Sequence, residues 1–203
     1  VAHTSNTGSM LSCLEDNAPV MLSVSDKPAR KTKFTWEMIF INNNWVGINT
    51  ALPNFLAEYW LKNNSLENIL PEYTFIKREY TFLDSRIDLY AENETEKCLI
   101  EVKNVTYRVS DEARFPDAKS IRAQKHLNTL MHAKKMGYRA VMIYVIQRND
   151  VTTFAPAAEI DAEYARLFYK AVDAGVEILP IRLKISADEI VFDCLIPFKN
   201  SNE

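Results

Sequence analysis

The chain has 203 residues, nearly half of them hydrophobic, enough for one large or two small domains with a real core. A formal net charge of −3 and a pI of about 5.7 exclude a protein-wide basic field, so any nucleic-acid contact must come from local patches. No apolar run approaches the ~20 residues of a membrane span and no signal peptide is read in it, so a cytoplasmic protein without a membrane partner is expected.

Residues 1–50 read as β-rich. Val20, Leu22 and Val24 alternate with Met21 and Ser23, residues 35–41 are a second β-prone run and residues 45–49 a third. Short strands joined by a basic loop suit a small β-barrel of the oligonucleotide-binding type. That barrel needs five strands, and only three or four are found over 1–50. The loop between the first two runs carries Lys27, Arg30, Lys31 and Lys33. It is either a solvated hairpin loop or a contact to phosphates, which clustered lysines and arginines neutralise with release of counterions. Upstream, Asn6-Thr7-Gly8-Ser9-Met10 is a polar turn or a backbone cradle for an anion.

Residues 51–203 read as a second, α/β domain. A helix is predicted over 53–63, with Pro53 in its first turn and Leu52, Leu56, Tyr59 and Trp60 as its apolar face. A further helical turn over 66–70 ends before Pro71. Strands follow over 73–82, through Asp88, and into Glu101-Val102-Lys103. In the first of them Phe75, Lys77 and Glu79 are expected on one face and Ile76, Arg78 and Tyr80 on the other. A long helix to Met136 follows Pro116, with Asp117 near its start to complement the dipole and Gly137 as its C-terminal cap. The continuous apolar run over 140–147 reads as a strand buried on both faces. Asp161 caps a further helix that ends at Gly175, and strands over 176–183 and 190–196 close the chain. Alternating helices and strands of this kind make a sheet with helices on its faces. Neither Gly-rich nucleotide fingerprint is present. Cys13, Cys98 and Cys194 are odd in number and far apart, which reads as reduced thiols.

The chemistry concentrates in residues 85–106. Side chains alternate along a strand, so Glu101 and Lys103 point the same way. If this run pairs with the preceding one as a hairpin, Asp88 meets Glu101 at one end of the sheet. Two carboxylates and a lysine there make a site for a hard divalent cation, Mg²⁺ or Mn²⁺, with the Val102 carbonyl as a third ligand. Phosphodiester hydrolysis is the reaction such a site serves. The plain structural reading is a cross-strand ion pair at a sheet edge.

Seven motifs then come in order: Asn6-Thr7-Gly8-Ser9-Met10, Arg30-Lys31, Val46-Gly47-Ile48-Asn49-Thr50, Ser85-Arg86-Ile87-Asp88, Glu101-Val102-Lys103-Asn104-Val105-Thr106, Phe115-Pro116-Asp117-Ala118 and Gln124-Lys125-His126-Leu127. Together they resemble the sugar fermentation stimulation (SfsA) protein family over essentially the whole chain. The resemblance implies an N-terminal oligonucleotide-binding barrel, truncated here relative to the family, joined to a PD-(D/E)XK nuclease-like mixed sheet flanked by helices. It implies Asp88 and Glu101 as metal ligands, Lys103 as the catalytic lysine, and Gln124 and Lys125 as additions to the active site. It also implies DNA binding and a regulatory link to sugar metabolism. Arg86 and Arg122 join the basic loop as candidate DNA contacts. The chain departs from the family pattern at Thr4-Ser5, Ala113-Arg114 and Ala123, none of which is in the carboxylate–lysine set. The competing functions are a metal-dependent nuclease, a DNA-binding regulatory protein that does not cut, and a protein whose ion-paired sheet edge serves assembly.

Overall fold

The structure, a computed structural model, describes residues 1–200. Four strands make the first sheet: β1 (Ala2–His3), β2 (Val20–Val24), β3 (Phe34–Ile41) and β4 (Asn44–Gly47). β3 is its organiser, with β2 and β4 antiparallel to it and β1 parallel. Asn42 and Asn43, both at positive φ, form the two-residue turn into β4, a conformation asparagine tolerates and hairpins select. A bond from the Ser25 amide to the Lys33 carbonyl closes the basic loop.

The rest of the chain builds on a six-stranded sheet. Its elements are α1 (Leu52–Lys62), β5 (Phe75–Phe82), β6 (Ser85–Glu92), β7 (Lys97–Val105), β8 (Arg108–Val109), β9 (Glu112–Phe115), α2 (Ile121–Lys135), β10 (Arg139–Ile146), β11 (Thr153–Pro156), α3 (Ala162–Asp173), β12 (Glu177–Ile185) and β13 (Ile190–Leu195). The strand order is β13-β12-β10-β7-β6-β5. β7, β10 and β12 are parallel, and antiparallel pairs flank them on both sides. Parallel centre strands must be covered on both faces, and they are. Ala140, Met142, Tyr144 and Ile146 pack with Leu127 and Leu130 of α2 and Phe168 of α3. Val141, Ile143 and Val145 pack with Leu56, Trp60 and Leu61 of α1, joined by Met38 of the first sheet. The apolar run thus lies in the middle of two cores, as its composition predicts.

Three features differ from the sequence expectations. A small third sheet, β11-β9-β8, has strands of two to four residues, too short for a periodicity to show. The start of α2 is three residues later than Asp117: Ser120 is its N-cap, accepting from the Ala123 amide at 3.1 Å. Serine and aspartate serve equally there, and Asp117 is engaged elsewhere, receiving the Met10 amide from the N-terminal loop at 3.2 Å. Finally, the alternation of β5 breaks. Ile76 packs on the α1 side and Tyr80 on the α2 side, because Glu79 between them adopts a positive φ of 55°.

Asp161 fulfils its predicted role and more. It caps α3 through the Tyr164 amide at 3.0 Å, takes the Ser120 amide at 3.0 Å and accepts the Gln124 side-chain amide at 2.8 Å. One buried carboxylate thereby ties the N-termini of α2 and α3 together. Burial works against its ionisation, but these donors hold its pKa below the usual aspartate value. Replacing it with alanine removes a cap and strands the buried Gln124 amide. Asp161→Ala is expected to cost about 2–3 kcal/mol in urea unfolding at neutral pH; a loss under about 0.5 kcal/mol would refute this tie.

Candidate functional site

The β6–β7 ladder runs from Glu92↔Lys97 to Leu89↔Ile100 and stops. One residue on, Asp88 faces Glu101 across a gap. Beside it the β5–β6 ladder passes from Arg78↔Leu89 to Tyr80↔Ile87, with Glu79 and Asp88 unpaired between them. The faces switch here too: Ile87 belongs to the α2-side core and Leu89 to the α1-side core. The strands separate at the level where the sequence places its two acids.

What fills the gap is side chain. Asp88 Oδ2 accepts the Val102 amide at 2.9 Å, replacing the carbonyl that a continued ladder would have offered, and Asp88 Oδ1 accepts from Asn54 Nδ2 at 3.0 Å. Asn54 comes from the first turn of α1. A strand residue directs its amide and carbonyl toward the same neighbour, so the Val102 carbonyl also faces the gap. Glu101 is almost wholly buried. Its Oε1 accepts from Lys103 Nζ at 2.5 Å and meets His126 Nδ1 of α2, while its Oε2 lies 3.4 Å from the Asp88 amide. Lys103 Nζ and His126 Nδ1 are 3.3 Å apart.

The two acids are held in opposite electrostatic states. Burial, then the neighbouring Glu101 charge, raises the Asp88 pKa from 3.8 to about 6. Glu101 suffers the same burial, but Lys103 and His126 outweigh it and hold its pKa at about 2. Lys103 and His126 thus engage one carboxylate directly, while at the other the attraction of Lys103 is outweighed by burial and the Glu101 charge.

Of the predicted site residues, Asp88, Glu101, Val102 and Lys103 converge here. Gln124 is turned to Asp161, and Lys125 reaches the Asp84 carbonyl at 2.8 Å and its carboxylate at 3.0 Å; neither makes a hydrogen bond to the acid pair. Lys27, Lys31 and Lys33 are exposed on the first sheet's loop, and Arg30 is tied to the Thr35 hydroxyl at 2.7 Å. Arg86 is exposed and ion-paired with Glu79, and Arg122 is exposed in the first turn of α2. Two residues of the cluster lie outside the predicted set. His126 shares the buried α2 stripe with Ala123, Leu127 and Leu130, a spacing that marks it as inward-facing. Asn54 carries no comparable signal, since an asparagine in a first helical turn is ordinary.

Two family models cover almost the whole chain: that of the SfsA N-terminal OB domain matches residues 1–48, and that of the sugar fermentation stimulation protein RE domain matches residues 51–189. The chain belongs to the SfsA family. It is 42% identical to the sugar fermentation stimulation protein homolog of Geotalea daltonii, over 93% of this chain and 82% of that protein. It is 43% identical to the homolog of a Synechococcus species, over 92% of this chain and 77% of that one. Among solved structures, that of Pyrococcus furiosus SfsA in complex with Ca²⁺ superposes with a TM-score of 0.89 at 25% identity, covering 98% of this chain and 85% of that one. The first sheet is accordingly the OB domain of an SfsA protein, and the six-stranded sheet with its helices the domain that follows. No helix among the described residues is long and apolar enough to cross a membrane.

The raised Asp88 pKa has a measurable sign. Its folded value of about 6 lies above the usual 3.8, so the stability tied to its protonated form is complete below pH 3.8 and lost as pH rises through 6. In EDTA, the urea stability of the wild type relative to Asp88→Asn should fall by about 2 kcal/mol between pH 4 and pH 7. A constant difference across that range would show that the fold does not raise the Asp88 pKa.

Proposed function

We propose that this SfsA-family chain binds DNA and hydrolyses phosphodiester bonds at a Mg²⁺- or Mn²⁺-dependent site formed by Asp88, Glu101 and Lys103. The observation that carries this reading is the strand separation at Asp88 and Glu101, which turns two acids and the Val102 carbonyl into one gap with a lysine at its edge. The donor set is all oxygen, as hard divalent cations require. Asp88, pushed up to about 6 by burial and by Glu101 and only partly offset by Lys103, carries the charge that a cation would neutralise. The Ca²⁺ complex of the Pyrococcus relative supports a metal in this fold, Ca²⁺ being another hard, oxygen-seeking ion.

Asp88, Glu101 and the Val102 carbonyl would hold the cation. When bound it supplies Lewis acidity toward a phosphoryl oxygen and a water acidic enough to attack at neutral pH. The protein's own part is positioning. Asn54 and the Val102 amide fix the Asp88 carboxylate in place. His126, packed into the α2 core, fixes Glu101. Lys103 is thirteen per cent exposed and stands beside Glu101, where its ammonium can orient water and offset charge that develops on the phosphate. The exposed lysines of the basic loop would supply contacts to the DNA backbone away from the site, with Arg86 and Arg122 as further candidates.

Incubated with single- and double-stranded DNA and Mn²⁺, the wild type is expected to cut and Lys103→Ala to lose at least about 100-fold in rate. Equal rates in the two proteins would assign the activity to a contaminant. Binding of DNA and Mn²⁺ without cleavage would select the alternative of a regulatory protein that uses the fold without cutting. Neutralising Lys27, Lys31 and Lys33 to glutamine is expected to weaken DNA binding uniformly across sequences and to reduce the salt slope by about 1 for each phosphate no longer neutralised. An unchanged slope would remove the loop from the interface.

A further inference from the structure

A second concave feature lies at the end of β7, the strand that carries Glu101 and Lys103, and no catalytic role accounts for it. It is a cavity of about 220 Å³ between the N-terminal loop, the end of β7 and the end of β9, room for about seven waters or one planar heterocycle. Thr50, two residues before α1, is in its wall, and Asn54 in the first turn of that helix contacts Asp88. Asn104, the neighbour of Lys103 on β7, is in the wall too.

The lining is specific in charge and in hydrogen-bonding capacity. Asn104 Oδ1 is taken by Gln147 Nε2 at 2.6 Å, and Asn6 Oδ1 by the Gly8 amide at 2.9 Å. Both side-chain amides are therefore oriented, and their NH₂ groups have no hydrogen-bond partner among the described residues. Asp117 is fixed by the Met10 amide on Oδ2, while its Oδ1 accepts nothing and no cation pairs with it among the described residues. Arg114 is the cation of the wall, but Glu112 and Glu159 hold it at 2.6 and 2.8 Å. The aromatic rings of Phe115 and Tyr107, with Thr106, complete the lining. An unpaired carboxylate beside a neutralised arginine repels phosphate. Oriented amide donors, a carboxylate acceptor and an aromatic ring are what a nucleobase edge and face require.

We infer that this cavity receives one unstacked nucleobase of a strand whose backbone lies at the Asp88–Glu101–Lys103 site. The inference rests on the proposed action on DNA and sharpens its substrate class to single-stranded, frayed or flipped nucleotides. An enzyme that holds a base beside its chemistry must take that base out of the stack, which costs least where the strand is already unpaired. The Asn6–Met10 loop then serves as one wall of a base pocket, seated on Asp117, and the anion cradle that its glycine suggests is not needed. Gly8 has the reason to be glycine: a Cβ there would lie 2.5 Å from Asp117 Oδ2.

The test compares a single-stranded oligonucleotide of about a dozen nucleotides with an abasic strand of the same length, both in EDTA so that no cleavage intervenes. The wild type is expected to prefer the base-bearing strand by about tenfold. Thr7→Phe, which fills the cavity from an exposed position, and Asp117→Asn, which changes its acceptor, should each erase that preference without altering affinity for the abasic strand. Equal binding of the two strands by the wild type, or an unchanged preference in both variants, would overturn the inference. The outcome is separable from cleavage: a base preference without Mn²⁺-dependent cutting removes only the nuclease reading, and cutting without a base preference removes only this one.

Discussion

The hydrogen bond from the Val102 amide to the Asp88 carboxylate is the constraint on which the site depends. A sheet must satisfy its strand amides, and an orphaned one costs about as much as a lost hydrogen bond. Here the β6 backbone turns away after Leu89 and the Val102 amide is met by a side chain instead. The substitution allows two strands to separate inside a covered sheet without leaving that donor unpaired. It also fixes one carboxylate in the gap, opposite a second from the facing strand. The distortion is shared with β5, where Glu79 at positive φ lies level with Asp88 and both strands exchange the faces they present to the two cores.

The electrostatics follow from that geometry. A gap in the middle of a covered sheet is shielded from bulk solvent, so each carboxylate is penalised by burial. The protein relieves one acid fully, with Lys103 on the same strand and His126 from the overlying helix. It gives the other no direct ion pair, only the neutral donors Asn54 and the Val102 amide and the more distant charge of Lys103. This asymmetry distinguishes the cluster from an ion-paired sheet edge, the plainest reading of Glu-Val-Lys at a strand end. An edge pair is solvent-screened and needs no second acid; here Glu101 is buried and a second acid faces it.

Much of this was legible in the sequence, for identifiable reasons. Period-two alternation placed Glu101 and Lys103 on one face, and the length of the apolar run placed β10 between two cores. Dipole and capping rules located Asp161 correctly but gave Asp117 the start of α2, because they rank side chains by type and cannot see that the N-terminal loop has already claimed its carboxylate. His126 was visible in principle through its stripe position. Gln124 was misleading for the opposite reason. Its place in an ordered motif pointed to the site, whereas its amide serves Asp161. The face switch at Glu79 and Asp88 had no local signal, since neither residue is a glycine and alternation is the assumption that it violates.

The first sheet is more than an appendage to this arrangement. The Gly47 amide donates to the Gln147 carbonyl at 2.9 Å, and a Cβ on Gly47 would lie 2.4 Å from the Gln147 side-chain oxygen. Gln147 in turn donates to the Asn49 carbonyl at 3.1 Å and to Asn104. Close by, the fully buried Arg148 donates to the Thr106 carbonyl at 2.7 Å while Asp150 balances its charge. The OB domain is therefore anchored on the C-terminal ends of β7 and β10, and β7 is the strand that carries Glu101, Lys103 and the cavity-wall residue Asn104. Thr50 and Asn54 extend that anchorage across the junction, one to the cavity and one to Asp88. These bonds tie the first sheet to the elements that hold both, so the OB domain is part of the framework that fixes the shape of the site.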